Sequence, residues 1–435
     1  MKRKIRHIAA ASLAATALVI GTAGCAANGG GDSDSAQELT MWSMWSKGEP
    51  NQLIMADAVA DFEEETGIKI KVVWKGRSPV GKLLPSLNSS TVPVDIVDSQ
   101  NAELVNQLGA TGNAADLSDV YDEALPGGSE TVGDVLNDGY QADLTTDDKV
   151  FMVPYEVYTY AFFFNAAEHP EVASAPPATW DDLEALFAES KKNGEAAPIA
   201  LEGSIPPFAT FWTTALTLNS LGKGSFREAV ADTTGKTWLE PGYLEVATKL
   251  QSLVDNGYFV DDYLSAKYPA VQQQWAANEA DYMYNGTWIP VETAPYAAEG
   301  FDYGSFAFPV VGDAKPVMQV AFNGLAVLEK SKKQEAAKEF VSFYLQKKYQ
   351  DRIGTEAKSI PARTDSEANP AMAGAVEVLN SSETVLAGDN VPWDDYMTKV
   401  FHPTNMKLFS GQIDAEGFVS ELATLSADYW ANNEQ

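Results

Sequence analysis

Eight aromatic residues, Trp42, Trp45, Tyr155, Phe208, Trp212, Trp275, Trp288 and Trp393, stand close to glycine, proline or asparagine punctuation in a chain of 435 residues. Rings at loops and strand ends can stack on the C–H faces of sugars, while nearby amides and carboxylates take up hydroxyls. Any one tryptophan in such a place more often packs in a core. Eight together point to a neutral, polyhydroxylated ligand.

Catalytic groups are sparse beside them. Of three histidines, His7 falls in a leader, and His169 and His402 both precede proline and read as solvated loop residues. No GxSxG elbow, GxxxxGK[ST] loop, HExxH pair or helix-opening GxGxxG occurs. The single cysteine excludes an internal disulfide or thiolate metal cluster. No cofactor, no metal site and no catalytic residue are expected. Acids are plentiful, so a two-carboxylate glycoside hydrolase stays open as an alternative. The pairs Asp181–Asp182 and Glu63–Glu65, however, lie on predicted helix surfaces. The formal charge is -31, which repels phosphate backbones and argues against nucleic acid as a partner.

Alternating strands and helices must position the rings. ELTMWSMW (38–45) reads as a strand ending in the turn KGEP. A helix follows to a stop at Gly67, and IKIKVVW is a period-2 strand with Ile68, Ile70, Val72 and Trp74 on one face. VDIVDS (94–99) runs into a helix from about Asn101. Strand, helix, strand, helix and strand so close together predict a βαβ-built sheet. Further on, VFMVPYEVYTYAFFFN (150–165) is strand-rich with an interruption at Pro154, and Thr179 caps a helix that stops at Gly194. GYLEVATKLQSLVDNG (242–257) and a long run, KQEAAKEFVSFYLQKKYQDRI, are helical, and VAFNGLAVL is a returning strand. Within TMWSMWS, Trp42 is expected to pack in the core and Trp45 to face ligand.

The first 24 residues hold KRKIRH, an apolar run and TAG ahead of Cys25, the pattern of a secretory signal. The Gly/Ser/Asp stretch after Cys25, residues 25–36, is a tether reaching on the order of 20 Å. No other segment reaches transmembrane length without charge.

TAGC resembles a bacterial lipobox, which implies lipidation of Cys25. Together with it, LTMWSMWS, ADFEEETGIKIKVVW, VPVDIVDS, VFMVPYEVYTYAFFFN, ATWDDLEALF, ADYMYNGTW, EAAKEFVSFYLQ and SIPARTD resemble, in order, the carbohydrate-binding branch of the extracellular solute-binding proteins of ABC importers. The resemblance implies an α/β fold of two lobes joined by three crossovers, near Val157, Val311–Pro316 and Gly354. The first lobe would take 37–157 plus 316–352 and the second 158–315 plus 353–435. Ligand would lie between them and favour hinge closure.

By that likeness Trp288, in NGTW, stacks on a sugar, and Trp45 opens the ligand-facing loop. Gln100 and Asn101 follow a strand end, the edge where α/β folds present ligand groups. Tyr155 and Glu156 supply a ring and a hydroxyl acceptor, with Phe208, Trp212, Asn323 and Trp393 as further ligand residues. Arg363 bonds across the lobes. The implied protein is no enzyme but a monomeric lipoprotein on the outer face of the cell membrane, in the style of a Gram-positive bacterium. It delivers a neutral mono- or oligosaccharide to permease subunits. The same fold carrying a non-sugar solute is the remaining alternative.

Overall fold

The computed structural model describes residues 38–194 and 197–433. The signal sequence, the tether and Cys25 lie outside the described residues. Along β1 (Glu38–Ser43), Leu39, Met41 and Ser43 are buried and Thr40 and Trp42 turn to the other face, the two-residue period of a strand. β1 pairs in parallel with β2 (Lys69–Trp74) and β3 (Ile96–Gln100). The crossover between β1 and β2 is the helix Pro50–Thr66, closed by Gly67 at φ 74°, a left-handed conformation that glycine adopts without a Cβ clash.

A small hairpin, β4 (Thr145–Thr146) and β5 (Lys149–Val150), precedes the longest strand, β6 (Val153–Asn165). The sequence predicts a break at Pro154, yet the strand runs through it. Pro154 stands opposite Gly324, where the pairing register slips between Asn323 and Gly324. A bulge absorbs the missing N–H, and a Cβ on Gly324 would come within 2.6 Å of the Val153 carbonyl.

The remaining strands are β7 (Ala197–Ala200), β8 (Ala280–Gly286), β9 (Tyr303–Phe306), β10 (Val317–Val327), β11 (Ile360–Pro361) and β12 (Glu383–Leu386). The sheet order is β2-β1-β3-β10-β6-β8-β7, with β9 and β11 also on β6 and β12 on β10. β6 serves both halves. Residues up to Thr159 pair with β10, and those from Tyr160 onward pair with β8.

Two large apolar cores flank this shared strand. The first gathers Leu39, Ile54, Ile96, Tyr155, Val157, Phe322 and Phe340. The second gathers Phe162, Trp180, Trp212, Leu250, Phe401 and Trp430. The chain passes from one to the other between Val157 and Phe162, near Ala307 and Phe308, and between Leu386 and Tyr396. Residues 353–386, expected with the second lobe, place Ile353, Ile360, Ala362, Met372, Leu379 and Leu386 in the first core. The cause is pairing: β11 lies on β6 at Val157, and β12 on β10.

Three other expectations change. The long helix is two helices, Gln334–Phe343 and Lys347–Thr355. The break is held because Arg363 Nη1 takes the Leu345 carbonyl at 3.2 Å and Gln350 Nε2 takes that of Tyr344 at 3.3 Å. His169 is not solvated: it sits 3.4 Å from Asp281, whose hydrogen bond raises its pKa. His402 begins the helix His402–Phe409, 2.8 Å from the Thr210 hydroxyl, and burial lowers its pKa.

Candidate ligand-binding site

The strand order brings Ser43, Asp98, Gln100, Glu156 and Asn323 into neighbouring positions, since Ser43 pairs with Asp98 and Asn323 pairs with both Gln100 and Glu156. Gln100 apart, their polar atoms form two adjoining buried hydrogen-bonded sets, one around Asp98 and one around Glu156. Asp98 accepts from Ser43 Oγ at 2.6 Å and from the Tyr155 hydroxyl at 2.7 Å. That hydroxyl in turn accepts from Trp45 Nε1 at 2.8 Å. Glu156 accepts from Asn323 Nδ2 at 2.8 Å and from Asn51 Nδ2 at 3.2 Å. Burial raises the Asp98 carboxyl to about 7, against the pull of Ser43 and Tyr155. Glu156 is raised for the same reason, held back by Ser359, Asn323, Asn51 and Tyr158. The carbonyl oxygens of Asn51 and Asn323 are buried without a hydrogen-bond partner, and such acceptors cost stability until something donates to them.

The network continues into an aromatic wall through β6. Glu156, Tyr158 and Tyr160 alternate along the strand and so share one face. The Tyr158 hydroxyl accepts from Asn323 Nδ2 at 3.1 Å, while its ring stands 6.5 Å from that of Trp288. Tyr160 and Phe211 lie 6.1 Å and 6.5 Å from the same indole, and Phe208 lies 5.6 Å from Phe211. Tyr158, Tyr160, Phe208, Phe211 and Trp288 all keep part of their surface in solvent. Gly286 lets the indole lie over the end of β8, because a Cβ there would fall 2.0 Å from the Trp288 ring. Polar groups that fix hydroxyls and half-open rings that stack on C–H faces thus meet at Tyr158.

The expected residues divide into two sets. Tyr155, Glu156 and Asn323 come together in the network, and Phe208 and Trp288 in the wall. Gln100 is exposed at the end of β3, and Asn101 accepts the Phe322 backbone N–H at 3.0 Å. Trp42 packs against the first core as expected, while Trp45, expected to face ligand, is more deeply buried. Trp42 is only partly buried, with Lys75 Nζ 3.6 Å from its ring centre. Trp45 is buried, its N–H committed to Tyr155 and Arg77 lying 4.8 Å over its ring. The strand period puts Trp42 opposite the core residues, and the turn after Ser43 brings Trp45 inward.

Trp212 and Trp275 are fully buried. Trp212 packs edge-on against Phe162 and Tyr284 at 5.2 Å and 5.4 Å, so it is a core residue. Trp393 packs against Trp430 at 5.1 Å within the second core. Arg363, expected to bridge the lobes, forms its ion pair with Asp365 at 2.7 Å. Asn51, Asp98, Tyr158, Tyr160 and Phe211 escaped the sequence reading. The Glu156-Tyr158-Tyr160 alternation was the signal for two of them.

A sequence profile of the bacterial extracellular solute-binding proteins matches residues 46–351. The diacetylchitobiose binding protein NgcE of Streptomyces coelicolor is 24% identical over 232 residues, 52% of this chain. This chain covers about half, 47%, of that relative's length. Among solved structures, the bacterial solute receptor AcbH, described as preferring β-D-galactopyranose, superimposes with a TM-score of 0.75 at 16% identity, over 92% of this chain and 100% of the other. A probable secreted solute-binding lipoprotein from Streptomyces coelicolor gives 0.74 at 19% identity, over 90% and 99%. The maltose-binding protein MalE of Listeria monocytogenes gives 0.67 at 18%, over 93% and 100%. Two cores on a shared strand, the overlap of the fold with these receptors and the profile match over most of the chain lead to one assignment: the chain belongs to the bacterial extracellular solute-binding proteins.

Proposed function

We propose that this protein captures a sugar, in oligosaccharide form, between two lobes and delivers it to an ABC permease without chemical change. The observation that carries this reading is the continuity of the Asn323–Glu156–Tyr158 network with the half-open wall of Tyr160, Phe211 and Trp288. Amide, carboxylate and ring within one face match the alternating polar and apolar surfaces of a pyranose. Sugar binding by the named relatives supports the same cargo class.

The lobes follow the cores: residues 38–157 with 318–386 form one, and 160–308 with 391–433 the other. Ligand contacts made with both favour the closed arrangement by their difference between states. Lipidation at Cys25 holds the protein, as a monomer, on the outer face of the membrane.

A thermal-shift screen of the purified protein against mono- and oligosaccharides, with amino acids and polyamines as controls, tests the reading. A sugar at a hundred times its dissociation constant adds about 2.7 kcal/mol of stability, and chromatography afterwards recovers it intact. Cleaved sugar, or stabilisation by a control alone, overturns it.

A further inference from the structure

Beyond the aromatic wall, a second cluster in the same half of the molecule is built of acids. Glu202 follows the end of β7 and is 2% exposed, and no side chain donates to its carboxylate oxygens. Glu292 stands on the helix Ile289–Thr293, one turn after Trp288, to whose carbonyl its N–H donates at 3.1 Å. It accepts from the Tyr268 hydroxyl at 3.2 Å. Tyr268 and Tyr296 are half exposed at this place, at 49% and 50%. Gln272, 1% exposed, turns its amide toward Glu292. Burial, then Glu292, Glu202 and Tyr296, raises the Tyr268 hydroxyl, and the helix that follows Tyr268, Ala270–Ala276, packs against both β7 and the helix Ile289–Thr293. Among the described residues neither Glu202 nor Glu292 forms an ion pair with a lysine or arginine. Burial and the Glu292 charge push Glu202 up to about 7, with only the Val271 backbone N–H opposing.

We propose that Glu202, Glu292, Gln272, Tyr268 and Tyr296 form a subsite for a protonated amine on the captured sugar, so that the cargo is an amino sugar with a free amine. This rests on the sugar-capture reading and departs from the expected uncharged cargo at one position. A buried carboxylate that meets only one backbone N–H, beside a second carboxylate, lacks a positive partner. An ammonium donates three hydrogen bonds, and hydrogen bonds to charged groups are stronger than neutral ones. Tyrosine faces add attraction for the same charge. Trp288 and Glu292 lie one helical turn apart, about 5.4 Å along the axis. A ring stacked on the indole therefore brings its substituent, or the next ring, within reach of the acids. Hydroxyl groups would satisfy the same oxygens less strongly, which sets the comparison to make.

Isothermal titration of the purified protein with three β-1,4-linked disaccharides separates the possibilities: cellobiose, the free-amine glucosamine dimer, and its N-acetylated form. The expected result at pH 6.5 is that the free amine binds at least about tenfold more tightly than cellobiose. In Glu202→Gln that ratio falls toward one, and in Glu292→Gln it falls part of the way. Circular dichroism verifies that both variants are folded, and either variant alone suffices. Equal or weaker binding of the free amine by the native protein overturns the subsite while leaving sugar capture standing. Binding of none of the three overturns the subsite, and overturns sugar capture as well where the thermal-shift screen finds stabilisation by a control alone; a ratio unchanged in both folded variants overturns the assignment to these acids.

Discussion

The polar network and the aromatic wall share strand β6 and are built on opposite terms. In the network, Trp45, Tyr155 and Asp98 are buried and held by fixed partners. In the wall, Tyr160 and Phe211 pack at 4.3 Å and Trp288 stands 6.1 to 6.5 Å from its neighbours, and all four rings of Trp288, Tyr158, Tyr160 and Phe211 keep part of their surface in solvent. Burial and full pairing make a residue a structural support. A ring with one open face has contact energy left to give to a ligand. The same tryptophan side chain is therefore a strut at positions 45 and 212 and, in the proposed reading, a binding surface at 288.

Substitutions sharpen that division. Trp212→Ala, which hollows the second core, should cost about 3–5 kcal/mol in chemical denaturation. A loss under about 1 kcal/mol would mean the ring is not part of that core. Tyr155→Phe removes a hydroxyl that both accepts from Trp45 and donates to Asp98, leaving two buried groups unpaired. It should cost about 1–3 kcal/mol by the same measurement. Trp288→Ala should leave the denaturation midpoint nearly unchanged and weaken sugar binding by about tenfold or more, the level of an interface anchor. Gly286→Ala should also weaken binding, by a smaller factor, because the added methyl displaces the indole while leaving it in place chemically. If either change unfolds the protein instead, the wall is structural and the comparison fails.

A further prediction concerns pH dependence. Asp98 holds a proton in the folded state up to about 7, against an ordinary value of 3.8. Between these values the native state binds more protons than the unfolded chain, so this group's contribution to stability falls as pH rises. Denaturation of the native protein and of Asp98→Asn at intervals from pH 4 to 7 should show the native protein losing stability relative to the variant across that window. Parallel curves would place Asp98 in a far more polar setting than the network implies.

Much of the local structure was legible because short-range chemistry decides it. Thr179 and Asp182 form a reciprocal capping box, and Gly67 and Gly194 end their helices in left-handed conformations. The site was legible in part. Trp288 stands just past a strand end, and Glu156 and Asn323 flank the Pro154–Gly324 bulge inside their strands. Asn51 and Phe211 lie within helices, where nothing in the one-dimensional pattern separates a ligand-side residue from a packed one. The break between Phe343 and Lys347 was hidden for a similar reason. The carbonyls it frees are satisfied by Arg363 and Gln350, and Arg363 arrives from a distant part of the chain.

The sequence by itself determined the α/β class, the helix ends and the excess of rings over catalytic groups, since caps, periodicity and composition act over a few residues. Tertiary structure alone decided which of those rings is open. Exposure depends on what packs from the other lobe-forming segments: Tyr155, far along the chain, takes the Trp45 N–H, while the missing Cβ of Gly286 leaves Trp288 lying over a strand end. Burial is a property of neighbours brought together by the fold, and residue type records only what each side chain does once it is there.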